Sequence, residues 1–314
     1  MSRIHEALQR AEHERKSRNL SQDDSTPSSS GPSRTQSPSV PAEHMALLDD
    51  VTSPAFSPFS ANGVEPPTID TLTTRCRQME WNPQQHAMLL SGESAHQYKA
   101  EVFRTLRSRL YRLRDQSPLR SLLITSTLPA EGKSFIAVNL SQAIAQQYGR
   151  RAILIDADLR MPKQHLLLGA PQFPGLTEYL RAETDELSII QRGQNHDLHF
   201  IPSGQAVTNP VELIGNGRLK ELLHRLKDIF DWIILDSPPM APVSDAGLLS
   251  DMCDGALLVV RAGMTPYDLA QKACADFKHT PLVGVILNAV DGTSHYGSYY
   301  YSYYSGAKTG KSQR

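Results

Sequence analysis

The chain has 314 residues, with 32 Lys and Arg set against 33 Asp and Glu. This balance gives no overall reason to expect binding to nucleic acid or to an acidic membrane, and the length fits one or two folded domains. No apolar run approaches the ~18 residues of a membrane span, and the N-terminus lacks the apolar core of a signal peptide. The three cysteines have no paired or metal-binding spacing, which predicts ordinary thiols in a reducing cytosol.

The first 18 residues predict a short helix. Ile4, Ala7, Leu8 and Ala11 follow the helical spacing i, i+3, i+4 and i+7, but the apolar stripe that they form is narrow. One interpretation is a half-formed, solvated helix at a chain end. The other is a docking helix for a partner or for an anionic membrane surface.

Residues 19–70 predict a disordered linker. Between residues 21 and 60, 17 of 40 positions are Ser or Pro, a composition that cannot bury enough apolar surface to offset its chain entropy. Residues 71–95 carry scattered apolar side chains such as Met79 and Trp81. We expect this segment to pack on the domain that follows, without assigning its secondary structure.

A strong helical pattern covers residues 96–114. Its apolar, core-facing stripe consists of Phe103, Leu106, Leu110 and Leu113. Three charged residues recur at intervals of three on another face, namely Glu101, Arg104 and Arg107. By residue type alone this is a solvated face with an i, i+3 ion pair worth a few tenths of a kcal/mol.

Residues 122–134 predict an apolar strand, a turn and the start of a helix, which is the arrangement of a phosphate-binding loop. Gly132 lets the backbone approach anionic oxygens, Lys133 can reach the outer phosphates, and Ser134 offers a hydroxyl to Mg²⁺. Thr127 stands where the common motif G-x-x-x-x-G-K-[ST] begins with glycine. The alternative is a chance surface turn before a helix, and the neighbouring motifs decide between the two.

Residues 151–156 predict a buried strand that leads into Asp156 and Asp158. Side chains two apart in an extended strand point to the same side, so we expect both carboxylates at the carboxyl end of a parallel strand. They can ligate Mg²⁺ or accept a proton from a nucleophile, whereas the alternative is an ordinary polar strand exit. The shorter elements predicted next are a helix at 175–181, a strand at 199–202 and helical segments at 210–214 and 219–230.

Residues 232–239 form a third motif, in which four apolar residues run into Asp236 and two prolines follow. This is the Walker B form, whose carboxylate binds Mg²⁺ directly or through water. Further strands are predicted at 255–261 and 283–288, with a helix at 267–278 between them. Because the motifs arrive in this order within alternating strands and helices, residues 96–291 predict a doubly wound α/β domain with a mostly parallel sheet.

The residues at the end of the last predicted strand bear on which nucleotide base is bound. Asn288-Ala289-Val290-Asp291 matches the N-x-x-D frame with which GTPases read guanine, but Ala289 stands where they have lysine. A residue after the last strand commonly lies near the base, so Asn288 is a candidate contact for an adenine amino group. The sequence favours ATP over GTP.

Residues 292–314 predict a flexible, basic tail in which serine and glycine separate the aromatic residues. Six of the 11 tyrosines of the chain lie there within nine residues: Tyr296, Tyr299, Tyr300, Tyr301, Tyr303 and Tyr304. One interpretation is a low-complexity end that does nothing specific. The other is a tethered substrate. Phosphorylation would add about −1.5 to −2 charges per tyrosine and so reverse the sign of the tail's charge.

Together these features resemble the bacterial tyrosine kinases (BY-kinases) of exopolysaccharide assembly. The resemblance rests on the phosphate loop without its first glycine, D-x-D-x-R at 156–160, the apolar run into D-S-P-P at 236–239, E-x-x-R-x-x-R at 101–107 and the tyrosine cluster. Residues 209–213, 245–246 and 284–288 also resemble landmarks of this family, and the match covers about residues 97–304. Val207-Thr208 and Ala130 depart from the Pro-Pro and the glycine that many members have.

The resemblance implies a P-loop NTPase fold and an ATP- and Mg²⁺-dependent kinase that phosphorylates its own tail in trans and regulates polymer assembly or export. The implied catalytic residues are Lys133, Asp156, Asp158, Arg160 and Asp236. The base for the tyrosine hydroxyl is Asp156 or Asp158, of which we prefer Asp156. The implied nucleotide contacts are Thr127, Pro129, Glu131, Gly132, Lys133, Ser134, Phe135 and Asn288, and the implied Mg²⁺ ligands are Ser134, Asp158 and Asp236.

The same resemblance implies partners. Glu101, Arg104 and Arg107 would join subunits in a homo-oligomeric ring. The chain would be cytoplasmic and recruited to the inner face of the plasma membrane by the cytoplasmic tail of a separate polysaccharide co-polymerase, its activator. A cognate tyrosine phosphatase would be a further partner, and nucleic acid would not.

A partitioning or septum-positioning switch ATPase on the same fold is the main alternative. Those ATPases carry a signature lysine early in K-G-G-x-G-K-[ST], where this chain reads T-L-P-A-E-G at 127–132, and they lack a tyrosine tail. An inactive polysaccharide-export regulator is disfavoured because every expected ligand residue is present.

Overall fold

The computed structural model describes residues 68–84, 87, 89–90, 97–193, 197–241 and 243–290. The predicted N-terminal helix, almost all of the predicted linker and the tyrosine-rich tail lie outside these residues. Among the helices that are described, none has the length and apolarity needed to cross a membrane.

Ten helices and eight strands make up the described part of the chain. The helices are α1 (Ile69–Arg75), α2 (Gln97–Arg114), α3 (Lys133–Ala145), α4 (Gln164–Leu168), α5 (Leu176–Leu180), α6 (Glu186–Ile189), α7 (Pro210–Ile214), α8 (Arg218–Leu226), α9 (Asp245–Ser250) and α10 (Tyr267–Ala275). The strands are β1 (Arg77–Gln78), β2 (Ser121–Ser126), β3 (Ala152–Asp156), β4 (Gln191–Arg192), β5 (Leu198–Ile201), β6 (Trp232–Asp236), β7 (Gly255–Arg261) and β8 (Leu282–Asn288).

All eight strands belong to one sheet in the order β1-β4-β5-β3-β6-β2-β7-β8. Every neighbouring pair is parallel except β4 and β5, which run antiparallel. The strands β2, β3 and β6 are buried along their whole length, as expected for central parallel strands with helices on both faces. The predicted doubly wound α/β fold is confirmed.

The sheet separates two layers of apolar packing. The first combines the outer face of β3 and β6 with α5, α7 and α8, and the second combines the other face with α2 and α3. Helix α3 is buried on nearly all sides, because it lies between the sheet and α2. The loop that precedes α3 is therefore fixed on a helix that has little freedom to move.

Helix α2 differs from its prediction in the last turn. Phe103 and Leu110 are buried as expected, but 38% of Leu113 is exposed, so its assignment to the core was wrong. In that turn the contact with the sheet is made by Tyr111, whose ring packs edge-on against Trp232 at 5.7 Å, and by Arg114, which donates to the carbonyl of Asp231. These contacts leave Leu113 facing outward.

The segment before α2 crosses the domain. Helix α1 begins at Ile69 behind a Thr68 cap, so the expected linker boundary at residue 70 falls inside it. Strand β1 pairs with β4 at the sheet edge, and Asn82 N donates to the carbonyl of Gly169, at the end of α4. Farther on, Leu89 N donates to the side chain of Asn139 in α3 at 2.8 Å. We call residues 77–90 the strap.

Candidate active site

The predicted motifs meet at the carboxyl edge of the sheet, where β2, β3 and β6 end side by side. The register pairs Asp156 of β3 directly with Asp236 of β6. The loops beyond these strands enclose a cleft of about 460 Å³, a size typical of small-molecule sites. Its lining consists of Pro129, Ala130, Gly132, Lys133, Ser134, Phe135, Asp158, Arg160, Met161, Lys163, Leu167, Pro238, Pro239 and Val243.

Gly132 shapes the phosphate-binding loop at the start of α3. Its φ of +97° lies in the left-handed region, and a Cβ there would come within 2.1 Å of the side-chain amide of Asn288. No side chain caps the N-terminus of α3, and its first turn holds no acidic residue. The first amide groups of this helix are therefore available to anionic oxygens.

Lys133 is the cation of the site, and three acceptors surround its ammonium group. Nζ donates to Asp158 Oδ2 at 2.8 Å and to Ser134 Oγ at 3.3 Å, and lies 3.5 Å from Asp236 Oδ1. Burial alone would lower the pKa of Lys133, but the carboxylates of Asp236 and Asp158 outweigh it and the pKa is raised. The ammonium thus balances the acidic side of the cleft.

Asp156 and Asp236 are completely buried carboxylates at the rear of the cleft. Burial raises the pKa of Asp156 to about 8, with the charge of Asp236 as the next cause. Burial also raises the pKa of Asp236, although Lys133 opposes the change. Ionisation of these two groups therefore has a free-energy cost, which a further cation would relieve.

Asp156 and Asp158 have different surroundings, although they are two residues apart. Asp156 Oδ2 accepts the backbone N–H groups of Lys163 and Gln164 at 3.1 and 3.0 Å, while its other oxygen has no partner within the described residues. Asp158 lines the cleft and accepts the backbone N–H of Met161. Only Asp158 faces the cleft.

Arg160 lines the cleft, and its guanidinium group is held by the carboxylate of Asp245, which lies outside the cleft lining. Its Nε and Nη2 donate to the two oxygens of Asp245 at 2.7 and 3.0 Å, and Asp245 is fully buried at the start of α9. A bidentate pair of this kind fixes the plane of the guanidinium group. Arg160 therefore ties the loop after β3 to α9.

Three residues with a predicted nucleotide role do not line the cleft, namely Thr127, Glu131 and Asn288. Thr127 is fully buried, and its hydroxyl has no partner within the described residues. Glu131 accepts the N–H of Leu128 at 2.8 Å and the hydroxyl of Thr265. Burial raises the pKa of Glu131, against which the bond from Thr265 acts. The side chains of Thr127 and Glu131 thus support the conformation of the phosphate-binding loop without reaching the cleft.

Asn288 lies at the end of β8, on the other side of Gly132. Its Nδ2 donates to the carbonyl oxygen of Glu131 at 2.8 Å, which joins the last strand to the phosphate-binding loop. Arg261 joins the same loop to β7 by donating to the carbonyl of Ala130 at 3.1 Å. Asn288 thus lies beside the loop without lining the cleft, and its contact with the base stays a prediction.

The cleft fits a nucleotide and Mg²⁺. The uncapped start of α3 and Lys133 suit phosphate oxygens, whereas Ser134, Asp158 and Asp236 are oxygen donors. Among the residues described, no group of three or more His, Cys, Asp and Glu side chains is arranged to hold a metal by itself. Mg²⁺ commonly takes one or two carboxylates and completes its shell with water and substrate phosphates.

The charged residues of α2 lie outside the cleft. Arg104 pairs with Glu101 at 3.0 Å, and both side chains are about 40% exposed. Arg107 instead donates to the carbonyl of Ala143 in α3 at 2.5 Å. Two of the three residues are thus available on the surface, and the third holds α2 against α3.

The sequence did not predict Gln164 as a residue of the site, and it did not predict the contact of Asp245 with Arg160. Gln164 is completely buried, and its Nε2 donates to Asp236 Oδ2 at 2.8 Å. It lies in α4, a helix too short to show a periodic pattern, so no sequence signal identified it. Asp245 appeared only as a landmark, because its partner Arg160 lies 85 positions away.

Comparisons with known proteins agree with this geometry. Residues 122–305 match the CobQ/CobB/MinD/ParA nucleotide binding domain family. The tyrosine-protein kinase YwqD of Bacillus subtilis is 35% identical over 205 residues, which cover 64% of this chain and 86% of that protein. The tyrosine-protein kinase wzc of Salmonella typhimurium is 30% identical over 214 residues, which cover 66% of this chain but only 30% of that longer protein.

A solved structure gives the same result. The kinase domain of the Escherichia coli tyrosine kinase ETK superposes with a TM-score of 0.59 at 32% identity, and the match covers 61% of this chain and 75% of that one. The family match over residues 122–305 includes the phosphate-binding loop, Asp156, Asp158 and Asp236.

Proposed function

The chain belongs to the bacterial tyrosine-protein kinases of the CobQ/CobB/MinD/ParA nucleotide-binding family, and from this premise we propose that it transfers the γ-phosphoryl group of ATP to tyrosine, including the tyrosines of its own tail. One observation carries the proposal. The ammonium group of Lys133 lies within 3.5 Å of the Ser134 hydroxyl and of the carboxylates of Asp158 and Asp236. This cluster lies at the start of α3, where no side chain caps the helix.

Lys133 would change partners when ATP binds. Its ammonium leaves Asp158 and Asp236 for the outer phosphates, where a buried cation offsets the negative charge that is transferred. Ser134 and Asp236 would then hold Mg²⁺, which leaves Asp158 available to accept a proton. Mg²⁺ supplies charge neutralisation to the phosphates and relieves the buried carboxylates that Lys133 has left.

We assign the catalytic base to Asp158 and thereby reverse our preference for Asp156. Asp158 faces the cleft, where a tyrosine hydroxyl can reach it, and it would take the phenolic proton during the transfer. Asp156 lies behind it and accepts two backbone N–H groups at the start of α4. Its contribution would be to hold that segment in place.

Asn288 and Ala289 bear on the choice of base. One N–H of the Asn288 Nδ2 donates to the carbonyl of Glu131, and the Asn288 oxygen can accept a hydrogen bond from an adenine amino group. Since the second N–H of Nδ2 is still a donor, the preference for ATP over GTP rests on Ala289, which stands where GTPases have lysine.

The tail tyrosines 296–304 would be the acceptors, reached in trans. A cleft at the sheet edge with exposed α2 residues nearby suits an oligomer in which the tail of one subunit enters the cleft of the next. We propose Glu101 and Arg104 as subunit contacts in this ring, supported by their exposure. Arg107 would contribute by holding α2 on α3.

The proposed role is control of exopolysaccharide assembly at the membrane. A separate polysaccharide co-polymerase would recruit the kinase from the cytoplasm and activate it through its cytoplasmic tail, and a tyrosine phosphatase would reverse the modification. A soluble activator fragment is therefore required in the test.

Incubation of the purified chain with labelled ATP and Mg²⁺, with and without a co-polymerase fragment, tests the kinase activity. We expect label on tyrosine, which disappears in Lys133→Met and after truncation before Tyr296. Hydrolysis of ATP without phosphotyrosine would instead identify a switch ATPase.

A separate measurement tests the oligomer. The double variant Glu101→Ala, Arg104→Ala should be monomeric by light scattering and should lose phosphorylation in trans while retaining nucleotide binding. An unchanged oligomer would remove the contact role from these residues.

A further inference from the structure

A buried amide joins the two elements that carry the metal-binding residues. Gln164, the first residue of α4, has no exposed surface. Its Nε2 donates to Asp236 Oδ2 at 2.8 Å and to the carbonyl oxygen of Ser134 at 3.0 Å. One side chain thus bridges the end of β6 and the start of α3. We propose that Gln164 is a positioning residue, which orients Asp236 and Ser134 for Mg²⁺.

The division of the Asp236 oxygens supports this role. Oδ2 is bound by Gln164, whereas Oδ1 faces Lys133 at the longer distance of 3.5 Å. When Lys133 moves to the phosphates, Oδ1 loses its cation while Oδ2 keeps its hydrogen bond. The carboxylate then presents one free oxygen in a fixed direction, which is what a ligand of octahedral Mg²⁺ has to do.

Gln164 can act in this way because its helix is fixed at both ends. At the start, Asp156 accepts the N–H of Gln164 at 3.0 Å. At the end, Asn82 of the strap donates to the carbonyl of Gly169, and a Cβ at Gly169 would come within 1.9 Å of the Asn82 oxygen. Backbone hydrogen bonds at both ends of α4 therefore hold the Gln164 side chain in place.

The other end of the same amide points to a missing partner. Gln164 Oε1 is buried and has no hydrogen-bond partner within the described residues. Buried side-chain oxygens are rarely left in this way, and water in the shell of a metal ion is a donor that such an oxygen accepts. Gln164 Oε1 can therefore accept one further hydrogen bond when the site is occupied, while Nε2 keeps its bond to Asp236.

The inference rests on the proposed use of Asp236 as an Mg²⁺ ligand, and a titration of metal dependence tests both. Binding of a fluorescent ADP analogue is measured against Mg²⁺ concentration for the wild type, Gln164→Met and Asp236→Asn. Methionine matches glutamine in size and lacks the donor. We expect Gln164→Met to raise the Mg²⁺ concentration at half-saturation about 10- to 100-fold, the range found when partners behind metal ligands are removed. Nucleotide binding in EDTA should not change.

Gln191 offers a matched control, since it is equally buried and its Nε2 donates to a backbone carbonyl, that of Pro171, away from the cleft. Gln191→Met should lose comparable stability without any change in Mg²⁺ dependence. A wild-type Mg²⁺ titration for Gln164→Met, or an equal shift in both methionine variants, would overturn the inference.

Two further outcomes are separated by the same data. If Gln164→Met does not fold, Gln164→Asn, whose shorter side chain cannot reach both acceptors, is judged by the same criteria. If Asp236→Asn leaves the Mg²⁺ dependence unchanged, the proposed metal site itself is wrong and the inference falls with it. If Asp236→Asn alone shifts it, only the role of Gln164 fails.

Discussion

Aspartates lie at both ends of the central parallel strands, which we call the amino edge and the carboxyl edge. Only at the amino edge do hydrogen-bond donors lower the pKa values of these aspartates. At the amino edge, Asp231 accepts Arg151 N–H at 3.0 Å and Arg150 Nη1 at 2.8 Å. Burial would raise the pKa of Asp231, and these bonds outweigh it and lower the pKa. At the carboxyl edge, Asp156 and Asp236 are more deeply buried, and their pKa values are raised.

Asp254 extends the comparison along the amino edge. Its two oxygens accept the N–H groups of Arg120 and Ser121 and the ammonium of Lys227. Although burial opposes it, this set of donors lowers the pKa of Asp254. Aspartates of the amino edge thus stabilise the fold, whereas the burial of Asp156 and Asp236 makes their ionisation costly. Perturbed pKa values of this kind are typical of functional sites.

The largest expected effect comes from neutralising a cleft aspartate. Asp236→Asn should reduce tyrosine phosphorylation at least about 100-fold, since it removes a charge that acts on the metal and the transferred group. The thermal stability of the nucleotide-free protein should be equal or higher, because a buried charge is lost. Autophosphorylation and thermal unfolding are measured on the same preparation. The comparison would break if Asp254→Asn reduced the activity of folded protein as much.

The reverse pattern is expected for stability. Asp254→Ala leaves two backbone N–H groups and an ammonium without their acceptor, which should lower the free energy of unfolding by about 3 kcal/mol. Urea unfolding without nucleotide measures the loss. Asp236→Ala serves as the matched variant at the other edge and should cost less, because Lys133 and Gln164 each keep another acceptor, Asp158 and the carbonyl of Ser134. A larger loss for Asp236→Ala would contradict the difference between the edges.

The two edges should also respond to pH in opposite directions. Because the pKa of Asp156 is raised to about 8 in the fold, its contribution to stability is complete below about 4 and is lost as the pH rises toward about 8. The loss is at most about 1.4 kcal/mol per pH unit. Asp156→Asn, which can still accept the two backbone N–H groups, should flatten this dependence in the absence of Mg²⁺ and nucleotide.

The amino edge provides the control for that experiment. The pKa of Asp254 is lowered, so its contribution is present above its ordinary value of about 4 and is lost as the pH falls below it. Asp254→Asn should therefore change the acid limb of the unfolding curve and leave the limb above about 5 parallel to that of the wild type. An effect of Asp156→Asn confined to acid pH would refute the assignment.

The sequence predicted the fold and the meeting of its motifs at one edge of the sheet, because both depend on local patterns. Apolar runs that end in Asp156 and Asp236 require parallel strands, and the order of the motifs brings their carboxyl ends together. The different surroundings of Asp156 and Asp158 were not predictable. Spacing places two carboxylates on one side of a strand, but the strand ends at Asp156, and the loop then turns Asp158 into the cleft.

Contacts between distant segments were likewise out of reach of sequence patterns. Gln164 and Asp236 are separated by 72 positions, and neither spacing nor residue type connects them. Leu113 was misplaced for a related reason, since a helical stripe does not say where the helix leaves the sheet. What the sequence did register is Ala130 as a departure from glycine, and the backbone explains why that departure matters.

The smallest expected effect concerns this residue. Ala130 has a φ of +63°, in the left-handed region, where a Cβ is unfavourable. Ala130→Gly relieves that strain but gives the unfolded chain more freedom, so the net gain should be only about 0.5 kcal/mol. Ala182, with a φ of +62° at the end of α5, is exposed and remote from the cleft, and Ala182→Gly should gain a similar amount.

The two glycine variants sharpen the comparison between regions when activity is measured with stability. Arg261 holds the Ala130 carbonyl, so a more flexible residue there loosens the contact between the phosphate-binding loop and β7. Ala130→Gly should therefore raise the KM for ATP by about twofold, within the range of weak positioning effects. Ala182→Gly should leave KM unchanged. Equal KM values for both variants would show that Ala130 affects the backbone of the loop without affecting how it holds phosphate.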